Sequence, residues 1–191
     1  MKMLRERILE LGDVLPGDVL NVNAFLNHQL DAELLVQIGK TFAEHFKGRG
    51  VTKVLTIETS GIAAALTTGI VLQVPVVFAR TIPTPTLGKD HYKAAAFSYT
   101  KQVRHEVLVA RPFISPEDRL LVIDDFLARG EAVSALISII EQASATLVGI
   151  GIVIEKTFQD GGEKIRASGH DLFVLAKIRS LSPPNHIEFL D

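Results

Sequence analysis

The stretch Leu120-Leu121-Val122-Ile123-Asp124-Asp125-Phe126-Leu127-Ala128-Arg129-Gly130-Glu131-Ala132 decides how the chain is read. Four apolar residues in a row predict a strand covered on both faces of a sheet. Two adjacent carboxylates follow where that strand is expected to end. A short loop with one glycine comes next, and Val133, Leu136, Ile137 and Ile140 then recur at helical spacing. The order is strand, acids, loop, helix. Carboxylates accept hydrogen bonds from hydroxyls, and the free N–H groups at a helix N-terminus attract an anion. The combination suits a ligand that carries both hydroxyls and a phosphate. An Asp-Asp pair alone is a weak signal, because paired acids also cap strands or bind metals. Only the four features together are specific.

The same alternation extends outward. Residues 51–57 predict a strand, Glu58-Thr59-Ser60-Gly61 a turn, 62–72 a helix and 75–79 another buried strand. Downstream, 147–154 reads as an apolar strand followed by Glu155-Lys156, and 163–168 as a short helix. Residues 172–178 and 186–190 read as strands on either side of Ser182-Pro183-Pro184-Asn185. This order predicts an α/β fold with a central, mostly parallel twisted sheet flanked by helices. Residues 3–11 predict a short helix with Leu4, Ile8 and Leu11 on one face. Residues 31–47 predict an amphipathic helix capped by Asp31, with Leu34, Leu35, Ile38, Phe42 and Phe46 inward. Between them, 12–30 mixes Gly12, Pro16 and Gly17 with short apolar pieces and Asn21, Asn23, Asn27 and His28, which predicts a small flap. Residues 80–100 hold two prolines, three threonines and a glycine within their first eleven positions and predict a long flexible loop. A strand at 106–110 and a turn at 115–118 follow. With no repeat or linker, residues 1–191 read as one domain.

The composition is that of a globular domain, with 47% hydrophobic and 22% charged residues, and the net charge of -2 counts against a nucleic-acid binder. The absence of cysteine excludes disulfides, thiolate zinc and a cysteine nucleophile. The histidines are scattered without metal-ligand spacing. Gly149-x-Gly151 lacks the third glycine of a dinucleotide fingerprint, because Ile154 stands there. Glu58 and Ile62 around Ser60 exclude a nucleophile elbow. No apolar signal core follows the first residues, and the longest apolar runs, around 71–79 and 147–154, are too short to span a bilayer. The expectation is a cytoplasmic protein without membrane contact.

Residues 122–132 resemble the 5-phosphoribosyl 1-pyrophosphate (PRPP) motif of the type I phosphoribosyltransferases. The resemblance extends over most of the chain. It includes Phe25-Leu26-Asn27-His28-Gln29, Ile57-Glu58-Thr59-Ser60-Gly61-Ile62-Ala63, Val74-Pro75-Val76-Val77-Phe78-Ala79-Arg80 and Gly149-Ile150-Gly151-Ile152-Val153-Ile154-Glu155-Lys156. Within that family the match is to the purine-salvage branch that acts on xanthine. The resemblance implies a small hood built from the N- and C-terminal segments, with 12–30 contributing to base binding. It implies that Asp124 and Asp125 hold the ribose hydroxyls, and that Ala128, Arg129, Gly130, Glu131 and Ala132 wrap the 5′-phosphate. Glu131 is awkward there, since its carboxylate repels phosphate unless it points outward. Glu58, Thr59, Ser60 and Gly61 would form the pyrophosphate loop, although Thr59 or Ser60 could equally be a simple helix cap. Arg80 would pair with pyrophosphate. Thr81 stands where family members commonly carry lysine, and Lys89 or Lys93 could compensate. Leu20, Asn27, Phe126 and Lys156 fall at positions that implicate them in xanthine binding. Without the resemblance, Lys156 reads equally as a solvated lysine and Phe126 as core.

The activity implied is conversion of xanthine and PRPP to xanthosine 5′-monophosphate and pyrophosphate. Mg²⁺ would arrive with PRPP rather than in a protein-built metal site. A homodimer is also implied. The alternatives are a hypoxanthine/guanine or adenine phosphoribosyltransferase and a PRPP-sensing transcriptional regulator.

Overall fold

In the computed structural model, which describes residues 1–84, 88, 90–98 and 103–190, the quoted stretch forms strand β7 (Arg119–Leu127), at the centre of a six-stranded sheet. Leu120, Leu121, Val122 and Ile123 are all fully buried. Their alternation explains why four consecutive apolar residues are needed. Leu121 and Ile123 enter the core on one face, while Leu120 and Val122 enter the core on the other. Parallel neighbours flank β7 on each side: β3 (Lys53–Ile57) and β8 (Thr146–Lys156). Outside them lie β4 (Val76–Ala79), parallel to β3, and β9 (Leu172–Ser182), parallel to β8. Strand β10 (His186–Leu190) adds antiparallel to β9 at the far edge. The expected mostly parallel α/β sheet is the one observed. The start of β7 is fastened by Asp118, whose carboxylate accepts from Lys53 Nζ at 2.6 Å and from the Thr52 hydroxyl at 3.0 Å.

The first core is covered by α1 (Lys2–Leu11), α2 (Ala32–Phe46) and α3 (Gly61–Leu72), and the second by α4 (Glu131–Gln142). Asp31 caps α2 as expected, its Oδ1 accepting from Leu34 N at 3.1 Å. Leu11, expected on the inner face of α1, is exposed at the last position of that helix. Residues 12–30, the expected flap, carry short elements of their own outside the main sheet. Strands β1 (Asp13–Leu15) and β2 (Val19–Asn21) make a hairpin whose turn holds Gly17 and Asp18 at positive φ, followed by one wide helical turn at Asn23–Asn27. Val14 N donates to Asn185 Oδ1 at 3.2 Å, which ties the flap to the turn between β9 and β10.

Three expectations need correction. The acids do not follow the strand; Asp124 still pairs with Ile152 of β8, so both lie within its last turn of pleat. Residues 75–79 are not buried on both faces, because β4 is the sheet edge and only Ala79 is buried. Residues 80–100 are not loop throughout: His91–Ser98 is a strand (β5), paired antiparallel with β6 (Val103–Ala110). Gln142 Nε2 of α4 donates to Lys93 O at 2.9 Å, which attaches this hairpin to the helix that follows β7.

Candidate active site

The site is built where two parallel strands hand over to helices. At the end of β7, Asp124 is only 4% exposed, and its Oδ1 accepts from Asp125 N at 3.0 Å. Burial pushes the Asp124 carboxyl well above the ordinary range, and the adjacent Asp125 charge adds to the effect. Burial raises Asp125 as well, opposed by hydrogen bonds from Asp124, from the Asn27 side chain and from the Phe126 N–H. Asn27 therefore reaches from the flap to the acid pair, and its Oδ1 is buried without a partner. At the end of β3, Gly61 opens α3 directly against Asp124. A Cβ at 61 would lie 2.8 Å from Asp124 Oδ1 and 2.3 Å from Thr56 Oγ1, so only glycine permits this approach.

Residues 57–61 with Thr81, Asp124, Asp125, Phe126 and Ala132 line a cavity of about 290 Å³. Within it Glu58 is tied down. Its Oε1 accepts from Thr81 N at 2.7 Å and from Thr81 Oγ1 at 3.1 Å, and Oε2 pairs with Arg80 Nη1 at 3.2 Å. Burial raises the Glu58 carboxyl, but the Thr81 and Arg80 contacts outweigh it and leave the group below the usual range. Thr81, the departure from the family's lysine, thus has a local partner. Arg80 does not line this cavity. Its guanidinium stacks on Phe78 and borders a separate groove along β4. Lys93 pairs with Glu106 within the β5–β6 hairpin, so it does not replace the missing lysine here. Lys89 lies outside the described residues.

The second cavity, about 590 Å³, is lined by residues 16–19, 126–133, Lys156 and Gln159. Gly130 caps α4 with φ +83°, a left-handed conformation that glycine adopts freely, and its carbonyl accepts from Ser134 N at 2.8 Å. Glu131, the first residue of α4, is half-buried at the cavity wall rather than turned fully outward. Lys156 Nζ lies 5.6 Å from the Phe126 ring centroid and donates to Asp18 O at 2.7 Å, bridging the cavity to the flap. Burial lowers the Lys156 ammonium below its ordinary value. Leu20 turns into the core, and its neighbour Val19 lines the cavity instead. Pro16, Gly17, Asp18, Val19 and Gln159 were not singled out from the sequence. Pro16-Gly17 reads as a turn in the sequence, but its place at the cavity opposite residues 126–133 and Lys156 is a tertiary fact.

The two cavities share Phe126 and Ala132 and so adjoin, with the acid pair on the wall of the smaller one. No group of three or more acidic or histidine side chains suited to a metal occurs among the described residues. The arrangement offers an anion cradle, two hydroxyl acceptors, a second anion loop and a lysine above an aromatic ring.

A scan against protein-family models gives no match. Among solved structures, the chain superimposes on adenine phosphoribosyltransferase from Trypanosoma brucei in complex with AMP, pyrophosphate and ribose-5-phosphate. The TM-score is 0.77 at 20% identity, over 95% of this chain and 83% of that one. The enzyme of the same name from Rhodothermus marinus gives 0.75 at 22% identity, over 93% and 99% of the two chains. The fold is that of the type I phosphoribosyltransferases. Among curated proteins, xanthine phosphoribosyltransferase of Pediococcus pentosaceus is 49% identical over 189 residues, 99% of this chain and all of that protein. The Bacillus cereus protein of the same name is 52% identical over 181 residues, 95% and 92% of the two chains. The chain belongs to the xanthine phosphoribosyltransferase family of pentosyl-transferring enzymes.

Proposed function

We propose that the protein converts xanthine and PRPP to xanthosine 5′-monophosphate and pyrophosphate. The observation that carries this reading is Lys156, held above Phe126 between the flap and the phosphate cradle. Its ammonium can donate to a 6-oxo group and cannot accept from the 6-amino group of adenine. The partnerless Oδ1 of Asn27 offers an acceptor for a ring N–H. Phe126 supplies a flat apolar surface for the base. The bond from N9 to C1′ forms as the bond from C1′ to the pyrophosphate oxygen breaks; pyrophosphate leaves with the bonding electrons, and the ring N–H proton of the base passes to solvent.

Asp124 and Asp125 accept from the ribose hydroxyls, residues 128–132 receive the 5′-phosphate at the N-terminus of α4, and residues 58–61 receive the pyrophosphate. Arg80 acts on the pyrophosphate loop through Glu58. Mg²⁺ would come in on phosphate oxygens and keep several of its waters, beside the paired carboxylates of Asp124 and Asp125. When bound, that ion neutralises charge on the leaving group. The residues of the protein position the two reactants and hold the donors in place.

Replacing Lys156 tests the base assignment. Lys156→Ala removes one charged hydrogen bond, which corresponds to a rise in KM for xanthine of roughly 10- to 100-fold. KM for PRPP is expected to change little. Steady-state kinetics with each substrate varied separately provides the check. An unchanged KM for xanthine would remove Lys156 from the base site.

A further inference from the structure

Behind the phosphate cradle lies a group of residues that touches neither cavity. Glu155, the residue before Lys156, is 1% exposed, and its register partner across the sheet is Leu127, the residue before the cradle. Both its carboxylate oxygens are held by Arg166 of α5 (Gly161–Ala167), Nη1 to Oε1 at 2.8 Å and Nη2 to Oε2 at 2.6 Å. Such two-point pairing fixes orientation as well as distance. The carboxylate presses on the start of α5: a Cβ at Gly162 would lie 1.7 Å from Glu155 Oε1. One residue earlier, Gly161 N donates to Ala128 O at 3.1 Å. A Cβ at Gly161 would lie 2.5 Å from Ala128 O, 2.5 Å from Gly130 N and 2.6 Å from Arg129 C. From the other side, a Cβ at Gly130 would lie 3.3 Å from Gly161 Cα. The backbone of the cradle and the backbone of Gly161 are therefore in contact with no room for a side chain between them.

We propose that Gly161, Gly162 and the Glu155–Arg166 pair are positioning residues that hold the main chain of 128–130 in the shape that receives the 5′-phosphate. The proposal rests on the reading of 128–132 as the phosphate cradle. The ion pair locks α5 against β8, and α5 in turn presents Gly161 as a flat backing for the cradle. A methyl group at 161 has to push Gly130 N and Ala128 O outward, and these atoms are the cradle itself. Displacements of this size are costly for a preorganised site. The pyrophosphate loop at 58–61 belongs to a different strand–helix junction and shares no contact with Gly161, so its ligand is unaffected. A pair that merely stabilised the fold would weaken every ligand together.

The test is calorimetric titration of the full chain with ribose 5-phosphate and, separately, with magnesium pyrophosphate. The proteins compared are the wild type, Gly161→Ala, Arg166→Gln and Arg166→Lys. Gly161→Ala is expected to lose about tenfold or more in ribose 5-phosphate affinity while pyrophosphate affinity stays within about twofold. Arg166→Gln is expected to show the same split in smaller measure, and Arg166→Lys to recover most of it, so the comparison survives if Gly161→Ala fails to fold. An unchanged affinity for ribose 5-phosphate in variants that fold would overturn the proposal. So would equal losses for both ligands accompanied by a lowered Tm. A wild-type protein that binds magnesium pyrophosphate but not ribose 5-phosphate would overturn the underlying reading of 128–132, and this proposal with it.

Discussion

Asp124 shows most directly how function and stability oppose each other at a single residue. Its folded carboxyl is raised above an unfolded value of about 3.9, by burial first and by Asp125 second. A raised carboxyl contributes stability that is fully present below the unfolded value and lost as pH rises through the folded value. At neutral pH the pair therefore works against the fold, and in the proposed function the ribose hydroxyls would be the partners that relieve it. Asp124→Asn keeps an acceptor for Asp125 N but removes the charge. The expected result is a higher Tm at pH 7, with the gain shrinking as pH falls toward 4. The same variant is expected to lose roughly 10- to 100-fold in kcat/KM through the weakened hydroxyl contact. Thermal melts across pH, alongside kinetics, check both halves. A Tm gain that is absent at pH 7, or constant across pH, would contradict the account. Glu131 makes a smaller case. Its carboxylate favours the N-terminus of α4 but stands at the wall of a cavity assigned to a phosphate. Glu131→Gln is expected to lower KM for PRPP by about two- to fivefold, the scale of one solvent-screened repulsion. A rise in KM would mean that Glu131 helps to hold the cradle instead.

At the scale of elements, the local signals read well and the cooperative ones did not. The acids, the turn at 58–61 and Lys156 all sit at strand ends, where apolar runs meet polar residues, and such junctions are visible in a linear sequence. Residues 80–100 read as loop because prolines, threonines and a glycine fill 80–90, and Ala94-Ala95-Ala96 adds little strand preference to offset them. Strand β5 exists through pairing with β6 and attachment to α4. The choice between Leu20 and Val19 at the cavity is a matter of strand phase, since a shift of one residue exchanges core and cleft. Helix α3 was legible as a helix, but its surroundings were not. It is apolar on almost every side, yet Leu66, Ile70 and Val71 are exposed, with Ile70 at 66%. Phe78 of the neighbouring edge strand β4 and Phe113 are exposed as well. A helix apolar all round is ordinarily buried. A second copy of the chain is the occupant expected from the family resemblance, so this face is our candidate for the homodimer surface. Ile70→Asp is expected to shift the protein from dimer to monomer in analytical ultracentrifugation while leaving the fold intact. A wild-type monomer, or an unaffected dimer in the variant, would rule this face out.

At the scale of the molecule, one sheet brings together four segments far apart in sequence. Asn27 and the 16–19 turn come from the flap, 58–61 from the β3–α3 junction, 124–132 from the β7–α4 junction, and Lys156 from the end of β8. The parallel arrangement is what makes these junctions converge on one edge of the sheet. The convergence serves transfer of the phosphoribosyl group to a 6-oxopurine, with xanthine first. Its most direct test is initial-rate measurement with PRPP and Mg²⁺ against xanthine, guanine, hypoxanthine and adenine, following pyrophosphate release. The highest kcat/KM is expected with xanthine, and far slower turnover with adenine, which offers no 6-oxo acceptor to Lys156. Turnover of adenine equal to or better than that of xanthine, or pyrophosphate release with none of the four bases, would contradict it.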